Sequence, residues 1–107
     1  MPRERWLPAA LAKIGELATL RKVRFTMKAL RELANLEVWL DQDDACDVLA
    51  KLSANDFSQR VLSRKTGEWM YVFRPTVGGM FVYVKLVIRS RCIVISFHEN
   101  DEGGPDE

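Results

Sequence analysis

Apolar and polar residues alternate along the last part of the chain, from Glu68 to His98, in a pattern typical of β-strands. In the segment Met80–Arg89 every even-numbered residue is apolar, whereas the odd-numbered positions include Tyr83 and Lys85. Neighbouring side chains on a strand point to opposite faces of the sheet, so each set occupies one face. The pattern therefore predicts one buried face and one polar face. The residues predicted to share the polar face are Arg74, Tyr83, Lys85, Arg89 and His98.

The strands on either side of Met80–Arg89 follow the same rule. Trp69, Tyr71 and Phe73 are the heavier apolar set of their segment and are predicted to face the helices. In the last strand the two sets are Ile93, Ile95 and Phe97 on one face and Cys92, Val94, Ser96 and His98 on the other. Unbroken alternation through this strand places His98 on the polar face.

The first half of the chain repeats apolar residues every three or four positions, which predicts helices. The first helix is predicted at Leu7–Leu20. The second covers Met27–Ala34, with Thr26 as its N-cap and Asn35 as a left-handed terminator. Asp41 is predicted to cap a third helix. The predicted inner face of the second helix contains Met27, Leu30 and Leu33 or Ala34.

The remaining elements are short. They are an extended piece at Val23–Phe25, one helical turn at Ser53–Phe57, and strands at Gln59–Ser63, Glu68–Arg74, Met80–Arg89 and Cys92–His98. Helices followed by a meander predict an α+β fold, with the N-terminal helices packed on one face of a C-terminal antiparallel β-sheet. We expect a single domain over residues 1–99, followed by an acidic, disordered tail at residues 100–107.

The composition is that of an ordinary globular protein, with 48% hydrophobic and 29% charged residues. No apolar run approaches the roughly 18 residues of a membrane span, and the N-terminus does not resemble a secretory signal, so we expect a cytoplasmic protein without membrane association. Cys46 and Cys92 have no metal-ligand spacing, which predicts no zinc site and no cofactor. A disulfide between them remains open, but buried free thiols are the favoured interpretation.

Charge is distributed unevenly along the chain. Residues 60–98 contain seven basic residues against Glu68 alone, whereas residues 1–59 are balanced and the tail is acidic. A basic half of the sheet suggests a polyanionic partner. An ordinary solvated charged surface explains the same charges equally well.

The residue types predicted on the polar face suit the cleavage of RNA. This reaction needs a base for the 2′-hydroxyl, positive charge for the phosphate and an acid for the leaving oxygen. His98 can transfer protons near neutral pH, and Lys85 and Arg74 can bind phosphate. Each residue also has a plain structural explanation. His98 is then a surface histidine, Tyr83 a packing residue, and Lys85 and Arg89 protect the sheet from edge pairing.

Four segments, in order and in register, resemble the MqsR-type toxins of bacterial type II toxin–antitoxin modules. They are Leu52–Phe57, Val72–Pro75, Val82–Lys85 and Ile93–Glu99. The resemblance implies a RelE/YoeB-like fold and an endoribonuclease, or mRNA interferase, that cuts mRNA and arrests growth. It also implies an antitoxin partner that is typically zinc-binding and DNA-binding. It leaves open the cleavage motif and whether the ribosome is required.

The resemblance also implies which residues act. In the best-known member of the family, a lysine, a glutamine, a tyrosine and a second lysine are associated with activity. Tyr83 matches the tyrosine, and His98 replaces the second lysine. Gln59 replaces the first lysine, with Arg60 beside it, and Met70 replaces the glutamine. The residues predicted to be catalytic are His98, Tyr83, Arg60 and Lys85, and those predicted to bind RNA phosphate are Arg74, Gln59 and Arg89.

Three hypotheses follow. The first is a metal-independent endoribonuclease that leaves a 2′,3′-cyclic phosphate. The second is a regulatory module that binds nucleic acid or protein through the basic sheet face without cleaving anything, and it predicts salt-sensitive binding to intact RNA. The third is a subunit that binds only protein. Changes at Gln59 and Met70 relative to the best-known member keep the second hypothesis open.

Overall fold

The structure, a computed structural model, describes residues 4–100. The helices are α1 (Leu7–Thr19), α2 (Met27–Ala34) and α3 (Gln42–Ala50), with one 3₁₀ turn at Ala54–Asp56. The strands are β1 (Val23–Phe25), β2 (Phe57–Leu62), β3 (Trp69–Phe73), β4 (Thr76–Val77), β5 (Met80–Ile88) and β6 (Cys92–Glu99). The predicted α+β class is confirmed. Apart from Asn100, the tail that was predicted to be disordered lies outside the described residues.

The sheet has the strand order β1-β6-β5-β3-β2, and the short β4 pairs with β5. The strands from β2 onward are antiparallel, as predicted. The first strand differs, because β1 pairs parallel to β6, with Val23 beside Cys92 and Phe25 beside Val94. The extended piece predicted at Val23–Phe25 is therefore an edge strand of the same sheet, which makes the sheet mixed rather than purely antiparallel.

The helices pack against the sheet, with α2 along β6, and the core lies between the helices and one face of the sheet. Phe73, Val84 and Phe97 sit side by side on β3, β5 and β6, because each pairs with the next across the sheet. All three are fully buried. Ile14 of α1 and Leu49 of α3 belong to the same cluster. The opposite face of the sheet is consequently the one that carries Tyr83 and Lys85.

A β-bulge at Ile95 interrupts the alternation in β6. The pairing moves from Lys85 with Ser96 to Leu86 with Val94, so Ile95 has no direct partner on β5. Cys92 and Val94 therefore face the core before the bulge, and Phe97 faces it after the bulge. The predicted faces for the first half of β6 were wrong, since a two-residue period cannot detect an inserted residue. The faces of Phe97 and His98 were predicted correctly.

The orientation of α2 also differs from the prediction. Met27, predicted to be buried, is 69% exposed, whereas Leu33 is buried as predicted. The other buried residue of this helix is Ala29, which was not predicted. Two contacts to β6 fix the helix. The Thr26 hydroxyl donates to the Ile95 carbonyl, and the Phe97 N–H donates to a Glu32 carboxylate oxygen. These contacts turn the polar side of α2 toward the C-terminal end of β6.

The predicted helix caps are confirmed at two of three positions. The Thr26 hydroxyl accepts a hydrogen bond from the Ala29 N–H, and Asp41 forms a reciprocal capping box with Asp44. Asn35 does end α2, but its φ of −96° is not left-handed. Among the non-glycine residues at positions 4–100, the one with a left-handed backbone is Arg21, with a φ of 60°. It follows α1 and forms salt bridges to two aspartates of α3.

Both cysteines are buried and unpaired, so the predicted free thiols are confirmed. Burial raises the pKa of the Cys92 thiol to about 12, and burial also raises the pKa of Cys46. Within residues 4–100, none of the helices has the length and apolarity needed to cross a membrane.

Candidate active site

A groove of about 340 Å³ opens on the face of the sheet that carries Tyr83 and Lys85. Residues of β5, β6, α2 and the segment after β6 line it. They are Lys28, Glu32, Tyr83, Lys85, Ser96, His98 and Asn100. The groove therefore combines three of the residues singled out by sequence, two of them on β5, with two side chains that α2 supplies.

Tyr83 and His98 form the centre of the groove. They are direct partners across β5 and β6, and their rings stack with centroids 4.9 Å apart and planes 14° apart. The Tyr83 residue is only 8% exposed, so its ring is a fixed platform for the imidazole. Cross-strand pairing thus brings two residues that are 15 positions apart in the sequence into direct ring-to-ring contact.

A backbone hydrogen bond determines which nitrogen of His98 is basic. His98 Nδ1 lies 2.9 Å from the carbonyl oxygen of Glu99. A carbonyl oxygen can only accept, so Nδ1 carries the proton in this contact. The neutral imidazole then has its lone pair on Nε2. His98 can accept a proton at Nε2 when neutral and donate one from Nε2 when charged.

Arg74 lies on the other side of Tyr83 from His98. It directly follows β3, and its guanidinium carbon is 5.8 Å from the centroid of the Tyr83 ring. Its backbone N–H donates to the Asp56 carbonyl at 2.7 Å, which ties the end of β3 to the 3₁₀ turn. Arg74, Tyr83 and His98 therefore form one row across three strands, as the alternation predicted.

A second row lies one step along the strands. Lys85 pairs with Ser96 on β6 and with Val72 on β3. Val72 in turn pairs with Gln59 on β2, so Gln59 shares this face and is exposed. Two strand spacings separate Gln59 from Lys85, which is about 10 Å. Gln59 thus lies beside the groove rather than in it.

Sequence reasoning missed the contribution of α2. Lys28 Nζ donates to Ser96 Oγ at 2.8 Å and forms a salt bridge with Glu32 at 2.9 Å. Burial opposes ionisation of Glu32, but hydrogen bonds from Lys28 and the Phe97 N–H hold its pKa below the ordinary value. In the sequence, a lysine and a glutamate four residues apart indicate only an ordinary helix-surface pair. Nothing in that spacing points to a site nearly 70 residues away.

Arg60 does not lie in the groove. It pairs with Tyr71, whose side chain packs against the core on the helix side of the sheet. The guanidinium carbon of Arg60 lies 4.0 Å from the centroid of the Trp6 ring and 3.8 Å from the centroid of the Trp69 ring. The two tryptophans enclose Arg60 on the face opposite His98. The sequence did not determine which face of the sheet carries Arg60, and the structure places it on the helix side.

Arg89 also lies apart from the groove. Its guanidinium binds both carboxylate oxygens of Glu68, each at 2.8 Å. It shares the face of Lys85 but is four residues further along the chain, which corresponds to about 13 Å on a strand. The salt bridge links the end of β5 to the turn before β3. Arg89 is therefore placed as a connection between strands.

The groove combines a proton-transferring imidazole with two lysines and a tyrosine, and Arg74 lies next to it on the far side of Tyr83. Among residues 4–100, no three His, Cys, Asp or Glu side chains are grouped so that they could hold a metal ion. The fold and the groove define a class of protein, a small α+β domain with a basic, histidine-containing cleft suited to binding and cleaving a phosphodiester.

Comparison with known proteins gives the family. A family model described as "Motility quorum-sensing regulator, toxin of MqsA" matches residues 8–99. The mRNA interferase toxin MqsR of Escherichia coli (strain K12) is 31% identical over 90 residues, which cover 83% of this chain and 90% of that protein. The chain belongs to the MqsR toxin family, and the resemblance seen in its motifs is confirmed.

Proposed function

We propose that this chain is the toxin of a toxin–antitoxin module and acts as an endoribonuclease that cuts mRNA in the groove and thereby arrests growth in the cytoplasm. The stacked pair of Tyr83 and His98, flanked by Arg74 and Lys85, is the observation that carries the proposal. The E. coli relative is an mRNA interferase by name, which supports the same substrate.

His98 is the proton carrier of the proposed reaction. Its Nε2 accepts the proton of a 2′-hydroxyl, and the 2′-oxygen then bonds to the adjacent phosphorus. The bond from phosphorus to the 5′-oxygen breaks and that oxygen takes a proton from water, which leaves a 2′,3′-cyclic phosphate on one fragment and a 5′-hydroxyl on the other. The charged imidazole then returns its proton from Nε2 to the solvent, which restores neutral His98. The Nδ1 contact to the Glu99 carbonyl keeps Nε2 as the basic nitrogen throughout. A positioned base of this kind contributes about 10²- to 10⁴-fold in rate.

The other groove residues stabilise charge and orient the substrate. Lys85 and Arg74 offset the extra negative charge that develops on the phosphate, and Lys85 donates a hydrogen bond to the departing 5′-oxygen. Tyr83 holds the imidazole by stacking. Because these groups supply both proton transfer and positive charge, the proposed reaction does not require a divalent ion.

The RNA strand continues beyond the groove across the same sheet face. Gln59 is exposed on this face, one strand beyond Val72, and offers an amide for a flanking nucleotide. Arg60 and Arg89 are assigned structural roles instead. Arg60 is held between two tryptophans on the other face, and Arg89 is bound by Glu68.

Analysis of product ends tests this function. Purified protein is mixed with a defined RNA in the presence of a chelator, and the fragments are examined for 2′,3′-cyclic phosphate and 5′-hydroxyl ends. The double variant His98→Ala with Tyr83→Phe should lose the activity, whereas Arg64→Ala, which removes an exposed cation in the β2–β3 turn, should retain it. If the wild type cuts no better than the double variant, the enzymatic function is wrong. Salt-sensitive binding to uncut RNA would then favour the binding module.

The partner proposed for this toxin is an antitoxin of the MqsA kind, because the family model is named as the toxin of MqsA. The resemblance further suggests that this antitoxin binds zinc and DNA. Expression of the toxin alone should arrest growth, and co-expression of the neighbouring reading frame should relieve the arrest and yield a complex that purifies together. Continued arrest with a well-expressed neighbour would contradict this pairing.

A further inference from the structure

Lys28 and Glu32 of α2 belong to the groove although their sequence gives no sign of it. Both line the same cavity as Tyr83, Lys85 and His98. The Lys28 side chain is 56% exposed, so solvent and ligands can reach its ammonium group. We propose that Lys28 is a phosphate-binding residue of the groove and that Glu32 positions it. This inference rests on the proposed RNA-cleaving function.

The ammonium group of Lys28 lies beside the cross-strand partner of Lys85. Lys28 Nζ lies 2.8 Å from Ser96 Oγ, and Ser96 is the direct cross-strand partner of Lys85. Side chains at paired positions are about 5 Å apart at their Cβ atoms. Lys28 from the helix and Lys85 from the sheet therefore both neighbour Ser96 in the groove, and a phosphate bound there meets two positive charges.

The hydrogen bonds of Lys28 leave it able to bind an anion. An ammonium group has three donors, of which Glu32 and Ser96 take two, and the third remains for a phosphate oxygen. The two existing bonds hold the long side chain in one place, which lowers the entropy lost when a ligand binds.

Glu32 is suited to hold Lys28 without repelling the substrate. One of its carboxylate oxygens accepts the Phe97 N–H at 2.9 Å, and the other bonds to Lys28 at 2.9 Å. The Glu32 side chain is 21% exposed, much less than that of Lys28. The negative charge is thus bound to the end of β6 while the positive charge faces the cavity. A salt bridge that served only to stabilise α2 would not need the hydrogen bond from the Phe97 N–H to Glu32.

The salt dependence of RNA binding tests the proposal. The probe is a single-stranded RNA of mixed sequence in which every 2′-hydroxyl is methylated, so that it cannot be cleaved by attack of the 2′-oxygen. Each phosphate contact to a single strand contributes about 0.7 to the slope of log Kd against log salt concentration. Lys28→Met should lower the slope by about that amount, and Lys28→Arg should restore it. Arg31→Met, which removes an exposed cation from the same helix, should leave the slope unchanged.

A double variant separates direct contact from net charge. Lys28→Met combined with Glu32→Gln removes one charge of each sign and keeps the net charge of the wild type. Its slope should still be lower by about 0.7, because the phosphate contact is absent. A slope equal to that of the wild type in either Lys28→Met variant would overturn the role of Lys28. This outcome is distinct from failure of the proposed function, which appears as unchanged RNA cleavage in the His98 and Tyr83 double variant.

Discussion

His98 is held in the groove from two sides. Tyr83 stacks on the flat face of the ring, and the Glu99 carbonyl accepts from Nδ1 at its edge. Each contact removes one freedom of the side chain, since the stack limits tilting and the hydrogen bond selects a rotamer and a tautomer. A residue so constrained presents one defined nitrogen to a substrate, which is the condition for effective proton transfer.

The tautomer of His98 is directly measurable. Because His98 is the only histidine of the chain, the nitrogen resonances of a labelled sample belong to it without ambiguity. At a pH where the ring is neutral, we expect Nδ1 to carry the proton and Nε2 to show the shift of a bare nitrogen. Replacing Glu99 would not remove this contact, because its backbone supplies the acceptor. A neutral ring protonated at Nε2 would contradict the assigned base.

Single residues were predictable from sequence only where their neighbours follow simple alternation. Tyr83 and His98 were placed on one face correctly, because Tyr83 lies on an unbroken strand and His98 lies beyond the bulge. Arg60 could not be placed, because the apolar residues Val61 and Leu62 follow it consecutively on β2. Its final position depends on Trp6, which is 54 residues away in the chain and packs over it.

At the scale of elements, α2 connects the core to the groove. Its Ala29 and Leu33 are buried in the core, while Lys28 and Glu32 line the cavity. Helical periodicity predicted the bounds of α2 and the burial of Leu33, yet it wrongly placed Met27 on the inner face and missed Ala29. Short amphipathic helices with mixed faces have no unique inner side in sequence. The tertiary bonds of Thr26 and Glu32 to β6 decide the rotation.

Thr26→Ala tests the fixation of α2. The hydroxyl caps the helix by accepting from the Ala29 N–H and also contacts the Ile95 carbonyl at the bulge. Loss of an N-cap hydroxyl costs about 1 kcal/mol, so the free energy of unfolding in denaturant should fall by about that amount. Thr19→Ala, at the exposed end of α1, serves as the matched control and should change the unfolding free energy little. Equal stability of the two variants would contradict the capping role.

The bulge at Ile95 is the second element that sequence could not reveal. Without it, the two halves of β6 could not both place apolar residues in the core, because Cys92 and Val94 differ in parity from Phe97. The inserted residue resolves this conflict and brings Ser96 and His98 onto the groove face together. The alternating pattern already contained the conflict, but only the pairing with β5 shows where it is resolved.

At the scale of the whole molecule, the order of helices and strands determines the layout. An N-terminal helical half and a C-terminal meander were enough to predict the fold class, since consecutive strands with short turns pair with their neighbours. The parallel pairing of β1 with β6 was not predicted, because it joins segments that are nearly 70 residues apart, Val23 with Cys92 and Phe25 with Val94. Contacts between residues that are far apart in the sequence depend on the assembled core rather than on the local sequence.

Burial of the thiols gives a test of how tightly this core is closed. With its pKa raised by burial from the ordinary value of 9.0 to about 12, Cys92 stays protonated at pH 8, where an exposed thiol would be partly ionised. A thiol reagent should therefore react slowly with the native protein and rapidly with both cysteines in denaturant. As the pH rises, the thiol of Cys92 ionises in the unfolded protein before it ionises in the folded one. The free energy of unfolding should therefore decline between about pH 9 and about pH 12. Rapid reaction of Cys92 in the native protein would contradict the closed core.

We expect the groove on the Tyr83 face, and not the basic surface as a whole, to cleave RNA. Single-turnover rates on one defined RNA test it most directly, comparing His98→Ala in the groove with Arg60→Ala on the opposite face. We predict a loss of at least about 100-fold for His98→Ala. Arg60→Ala should cleave at close to the wild-type rate, although its unfolding free energy should fall because the guanidinium packs against two tryptophans. A wild-type rate for His98→Ala, or a comparable loss in a folded Arg60→Ala protein, would contradict cleavage of RNA in the groove.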